Sequence, residues 1–128
     1  MILLDTCAVL WWTLEPSMLS ELAASACRDI PHTGAVISSI SIWEIGIKMR
    51  KGTLRMPATF SEFVNRLQNI DNIEIIPVGV KIWVRNIELD WQHRDPADRT
   101  IVATALMRNI PIVTKDSVIS GYYAKTIW

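Results

Sequence analysis

The sequence predicts an α/β fold in which a central parallel β-sheet of four to five strands is flanked by helices. Three observations carry that prediction. Short strand-like runs alternate with longer helical segments along the whole chain, the pattern of a parallel sheet lying between helical layers. The run from Gly34 to Ser38 has no polar alternation, as a strand buried on both faces requires. Finally, 128 residues, half of them apolar and a fifth charged, suffice for one core and leave no room for a second. Residues 1–128 are therefore expected to form a single domain.

The elements follow in order. The first strand is expected over Ile2 to Asp5, with an apolar helical segment running on through Trp12. Pro16 and Ser17 are expected to open a second helix, from about Met18 to Asp29. After the strand at 34–38, Ser41 to Lys51 reads as a helix closed by Gly52 in the position after its C-cap. Thr59 and Glu62 have capping-box spacing for a helix ending near Asn69. Ile73 to Val78 is the third strand. Val80 to Leu89 reads as a helix because Val80, Trp83, Val84 and Ile87 share one face. Asp95-Pro96 gives the clearest start signal in the chain, a capping Asp followed by Pro at the first helical position, for a helix to about Arg108. Ile112 to Thr114 is the fourth strand, and Thr126 to Trp128 makes a short fifth.

Composition narrows the functional classes. Thirteen acidic and thirteen basic residues cancel, so a nucleic-acid site must come from local clustering rather than overall charge. Two basic clusters are available: Lys48, Arg50, Lys51 and Arg55, and then His93, Arg94 and Arg99. Each can also be read as the solvated face of a helix. The two cysteines, Cys7 and Cys27, are isolated and read as small buried hydrophobes rather than a disulfide or zinc site. No apolar run approaches the ~20 residues of a membrane span, and no leader pattern opens the chain. A cytoplasmic protein without membrane association is expected.

Four carboxylates carry the chemistry. Asp5 ends the first strand and Asp116 comes just after the fourth, while Glu44 and Asp98 are expected in first turns of helices. Each has a local explanation. Asp5 and Asp116 can cap the segments after them, Glu44 can complete a capping box with Ser41, and Asp98 can favour the helix dipole. In a parallel α/β sheet, however, all four belong to the edge beyond the strand C-termini, where such folds build their sites. Carboxylates gathered in a partly apolar cleft raise one another's pKa, and a divalent cation relieves that penalty. Oxygen donors without His or Cys favour Mg²⁺ or Mn²⁺ over Zn²⁺. Such an ion suits hydrolysis of a phosphodiester. His93 is available as a general base, but metal-assisted hydrolysis does not need one. Asp95 is assigned to helix capping.

The segments Leu3-Leu4-Asp5-Thr6-Cys7-Ala8, Ser41-Ile42-Trp43-Glu44-Ile45, Asp95-Pro96-Ala97-Asp98-Arg99, Ile112-Val113-Thr114-Lys115-Asp116 and Thr126-Ile127-Trp128 resemble, in order, the signature blocks of PIN-domain toxins of the VapC type. The resemblance spans nearly the whole chain. It implies a PIN-domain fold and an endoribonuclease that hydrolyses RNA with Mg²⁺, Mn²⁺ being able to substitute. It also implies neutralisation by a cognate antitoxin. Carried over residue by residue, Asp5, Glu44, Asp98 and Asp116 fall on the family's catalytic acids, with Asp5 and Asp98 as the metal ligands. Thr6, Arg99 and Thr114 fall on supporting positions around the pocket.

Val9, Leu10, Trp11, Trp12 and Leu14 are apolar on more faces than one core can cover. Trp11 and Trp12 are therefore expected to line a groove for an antitoxin helix or a homodimer seam. Two other readings were weighed. A haloacid-dehalogenase-like phosphatase also starts with a strand ending in Asp, but it needs a second Asp where this chain has Cys7. A catalytically silent PIN-like module that binds RNA or protein would be favoured by loss of an acid, and all four are present.

Overall fold

A computed structural model describes residues 1–128. Strands β1 (Ile2–Leu4), β2 (Ala35–Ser38), β3 (Ile73–Ile76), β4 (Ile112–Val113) and β5 (Thr126–Ile127) form one sheet in the order β3-β2-β1-β4-β5. Every pair is parallel, with Leu4 opposite Ile37 on one side and Val113 on the other. The helices are α1 (Thr6–Leu14), α2 (Glu21–Arg28), α3 (Ile30–Thr33), α4 (Ser39–Arg50), α5 (Phe60–Gln68), α6 (Val80–Glu88), α7 (Pro96–Arg108) and α8 (Ser117–Tyr122). The expected α/β architecture is the observed one, with five strands.

Alternate strand residues feed two cores, because successive side chains leave opposite faces of a sheet. Ile2, Leu4, Ala35 and Ile37 pack with Ala8, Val9, Cys27, Ile45, Phe63 and Leu67 from α1 to α5. Leu3, Val36 and Ile112 pack with Ile82, Ile101, Val102, Ala105 and Ile119 from α6 to α8. The result is three layers, helices over both faces of the sheet. No helix is long and apolar enough to cross a membrane.

Several boundaries depart from expectation for local reasons. Pro16 to Met18 forms only a 3₁₀ turn, Leu19 is extended, and α2 starts at Glu21 because Ser20 accepts the N–H of Ala23. Gly34 is the stop of α3, with φ +79° and its N–H on Ile30 O, rather than the first residue of β2. Helix α4 leaves β2 without a loop, with Ser38 as its N-cap. Ser41 is then a buried first-turn residue and not a cap, so its capping box with Glu44 does not form. Gly52 does follow the C-cap of α4 with φ +76°, as read from the sequence. Asp95 caps α7 through the Asp98 N–H, and Asn109 ends that helix in the left-handed region. Helix α8 is an addition, capped by Asp116 through Val118 N–H.

Helix α6 is turned opposite to its apolar stripe. Val80, Trp83, Val84 and Ile87 are all exposed, Val80 and Ile87 by more than three-quarters, while Ile82, Asn86 and Leu89 face the core. The polar member of that inward face is satisfied: Asn86 Nδ2 donates to Thr100 Oγ1 at 2.9 Å, and its Oδ1 accepts from Arg99.

Candidate functional site

The chain leaves β1 towards β2 and leaves β4 towards β5, so the sheet changes direction between β1 and β4. A crevice opens at such a point beyond the strand C-termini. Asp5 follows β1 there, and Asp116 follows β4 by three residues. The second turn of α4, which starts earlier than the sequence suggests and so moves Glu44 out of its first turn, and the first turn of α7 bring Glu44 and Asp98 to the same place. A cavity of about 290 Å³ is lined by all four carboxylates together with Thr6, Cys7, Trp11, Lys48 and Lys115.

Each acid is held by a local partner. Asp5 Oδ1 accepts the Ala8 N–H at 2.7 Å, capping α1. Thr6 Oγ1 donates to Glu44 Oε1 at 2.5 Å. With its one proton so committed, Thr6 can only accept from Ser41 Oγ, 2.9 Å away. The buried Ser41–Thr6–Glu44 relay thus ties α4 to α1. Asp98 Oδ2 lies 2.7 Å from His93 Nε2. Asp116 Oδ1 accepts from Val118 N–H, and Thr114 Oγ1 accepts the Asp116 N–H at 3.0 Å.

Arg99 does not point its guanidinium into the cavity's lining. It donates to the carbonyls of Asn86, Leu89, Trp91 and His93 and to Asn86 Oδ1. Charge-assisted bonds of this kind are roughly twice as strong as neutral ones, and they pin the connection between α6 and α7. Trp11 and Trp12, adjacent on α1, diverge. Trp12 lines an apolar groove of about 400 Å³ with Leu14, Phe63, Leu67 and Ile70. Trp11 packs on Trp128 at 5.4 Å and borders both the acidic cavity and a second groove with Leu54 and Met56. Sequence reasoning missed Cys7 and Lys48 as cavity neighbours. Lys48 was traceable, since it sits one turn after Glu44.

The donor chemistry of the cavity suits a hard cation: carboxylate oxygens, with Cys7, which is exposed at the cavity and not the buried hydrophobe expected from the sequence, having its thiol pushed up by partial desolvation and by Asp5, and so disfavoured as a soft thiolate ligand. No group of three or more His, Cys, Asp or Glu side chains stands in an arrangement that could hold an ion.

The PIN domain model matches residues 2–125. Over 116 residues the chain is 26% identical to Ribonuclease VapC22 of Mycobacterium tuberculosis, covering 90% of this chain and 86% of that protein. Similar solved structures include a toxin-antitoxin complex from Klebsiella pneumoniae, with TM-score 0.69, 18% identity, and coverage of 100% of this chain and 97% of that one. FitAcB from Neisseria gonorrhoeae matches with TM-score 0.66 and 19% identity, over 93% of this chain and 90% of that one. At those identities the structural likeness shows the fold.

The cavity is electrostatically strained. Burial above all, aided by Asp98 and Asp116, pushes Asp5 up to about 6, against hydrogen bonds from Thr114 and Ala8. Burial likewise raises Glu44 and Asp98, with Thr6 and His93 opposing. A carboxyl whose folded pKa exceeds its unfolded one holds its proton more tightly when folded. Its contribution to stability is therefore full below about pH 4 and lost as pH rises through about 6. Ionised Asp5 then costs the metal-free protein on the order of 2–3 kcal/mol at neutral pH. Asp5→Asn keeps a capping oxygen and removes the charge. Urea unfolding in EDTA should show it more stable than the parent by about 2 kcal/mol at pH 7.5, with the gap closing below pH 4. Equal or lower stability at pH 7.5 would mean that the charge of Asp5 is not under strain.

Proposed function

The chain belongs to the PIN-domain family, and on that premise we propose that it is the toxin of a toxin–antitoxin pair, a cytoplasmic single-domain endoribonuclease that hydrolyses RNA with Mg²⁺ or Mn²⁺. The observation that carries the reading is the convergence of Asp5, Glu44, Asp98 and Asp116, from four separate stretches of chain, on one cavity. On this reading Asp5 and Asp98 would hold the ion, with Glu44 and Asp116 adding charge around it. When bound, the ion would stabilise negative charge on the phosphoryl group and aid attack by water.

The chain's own residues do the rest. Thr6 orients Glu44 by one oxygen and leaves the other for the cavity. Lys48 and Lys115, on the cavity wall, draw the phosphodiester in against the acids. Arg99 and Thr114 act behind the carboxylates, holding the loops that carry them. Asp98→Asn preserves size and should lower the RNA-cleavage rate by at least about 10–100-fold with an unfolding midpoint no lower than the parent's. Excess EDTA should abolish cleavage in the parent, and added Mn²⁺ should restore it. The rate should rise as pH climbs through about 6, where the Asp5 proton leaves. Full cleavage by Asp98→Asn or in EDTA removes the metal mechanism, and a chain that binds RNA without cutting it is the silent module instead.

Two apolar surfaces serve partners. The groove at Trp12, between α1 and α5, suits the apolar face of an antitoxin helix. The outward stripe of α6 suits a second copy of this chain, since Val80, Trp83, Val84 and Ile87 form a contiguous row one helix face long. Trp12→Ala should weaken antitoxin binding by ~2 kcal/mol or more, as loss of an aromatic anchor does, while Ile87→Arg should shift the free toxin towards monomer in sedimentation. Trp11→Ala tests the other groove in the same assay. Unchanged antitoxin affinity in both tryptophan variants rejects α1 as the partner surface, and an unchanged sedimentation profile rejects α6 as the seam.

A further inference from the structure

One side chain behind the cavity, in contact with Asp98, has no part in the function described above. His93 lies in the connection between α6 and α7, its ring three-quarters buried, with Nε2 on Asp98 Oδ2 at 2.7 Å. Its place is fixed from two directions. Arg99 Nη1 grips the His93 carbonyl at 3.0 Å and the Trp91 carbonyl at 2.5 Å. The imidazole ring packs on Trp91 at 4.8 Å, and Trp91 in turn stacks on Tyr122 of α8 at 4.7 Å and 8°. Asp95, two residues on, accepts the Asp98 N–H at 2.9 Å. One short loop thus fixes both the backbone and the side chain of the same carboxylate.

We propose that His93 is a positioning residue for Asp98: by holding Oδ2 it fixes the carboxylate rotamer and leaves Oδ1 directed to the cavity for a divalent cation. The inference rests on the reading of Asp98 as a cation-binding carboxylate. A side chain in a first turn otherwise samples several rotamers, and ordering it on binding lowers affinity. Here that ordering is complete before the ion arrives. Asp98 also faces Asp95 and Asp116, which oppose its negative charge, so a hydrogen-bonding partner on the far oxygen is what keeps the carboxylate in place. The engagement of Nε2 with Asp98 further separates His93 from acid–base work on substrate. Partners of this kind behind a metal-binding carboxylate are worth about 10–100-fold in affinity.

The test is calorimetric titration of the purified full chain with Mn²⁺ alone, without RNA, alongside urea unfolding of each variant. His93→Phe retains a ring for Trp91 but donates nothing, and should weaken Mn²⁺ binding by about 10–100-fold. His93→Gln places an amide donor near the position of Nε2 and should recover most of the affinity, although it forfeits the ring packing. Asp98→Asn should lose binding altogether. If His93→Phe binds Mn²⁺ as the parent does while Asp98→Asn fails, His93 does not position Asp98 and the metal reading stands. If His93→Gln is as weak as His93→Phe, the histidine acts by packing alone and the inference falls. Parent-like binding by Asp98→Asn overturns the metal reading and this inference with it. Should His93→Phe fold poorly, the comparison of His93→Gln with the parent decides alone, near-parent affinity supporting the donor role and a large loss rejecting it.

Discussion

Asp5 ends the central strand of the sheet, is only 7% exposed, and caps the helix that leaves that strand. One side chain thereby couples the architecture to the strain in the cavity. A parallel sheet covered on both faces must turn each strand into a helix at one edge, and α1 follows β1 with only Asp5 between them. The cap satisfies an N–H that would otherwise be orphaned. The same position buries the carboxyl at the base of a crevice lined by three other, half-buried acids. The positive end of α1 and the Ala8 N–H favour its charge, yet burial outweighs them and its pKa still rises. Folding thus concentrates negative charge in a place where water cannot fully compensate it.

The surrounding polar network is arranged to keep that charge in position rather than to neutralise it. Thr6 holds Glu44 and is itself held by Ser41, so the first helix of the chain locks the side chain on α4. Arg99 supplies a full positive charge close by, but its donors all go to Asn86 and to the loop carbonyls. Had it paired with Asp98, the cavity would have lost the repulsion that makes it attractive to an external cation. The fold therefore uses this half-buried guanidinium as a loop clamp and leaves the lysines, 48 and 115, on the cavity wall.

Much of this was legible in the sequence, for identifiable reasons. Helix α7 was read from its start because Asp95-Pro96 is a strong local signal, and its end at Arg108 is closed by Asn109. The four acids were found because strand ends and helix first turns share one edge in a parallel sheet. Helix α8 escaped because Ser-Val-Ile-Ser-Gly-Tyr has poor intrinsic helicity; it is held by the Asp116 cap and by burial of Ile119. Helix α2 was started too early because Pro16-Ser17 competes with Ser20 as a start signal and only the latter caps. The clamp made by Arg99 left almost no trace, since four of its five bonds go to backbone carbonyls, which any residue can supply. His93 was visible only as a nearby base; its contact with Asp98 spans a loop, where no periodicity announces a neighbour.

Helix α6 shows why an apolar stripe identifies a helix but not the side it buries. Its inward face includes Asn86, a residue any periodicity argument assigns to solvent. Asn86 is kept inside because it joins α6 to α7 three times, through Pro96, Thr100 and Arg99, and an unpaired amide there would be costly. The Arg99 clamp that steadies the loop behind Asp98 thus also fixes the rotation of α6 about its own axis. Rotating α6 to bury Val80, Trp83, Val84 and Ile87 would break the Asn86 bonds and release that loop. The exposed stripe is therefore a consequence of how the cavity is supported. Any partner that covers the stripe rests on the same helix that anchors Arg99, so assembly on α6 and order around Asp98 share one set of hydrogen bonds.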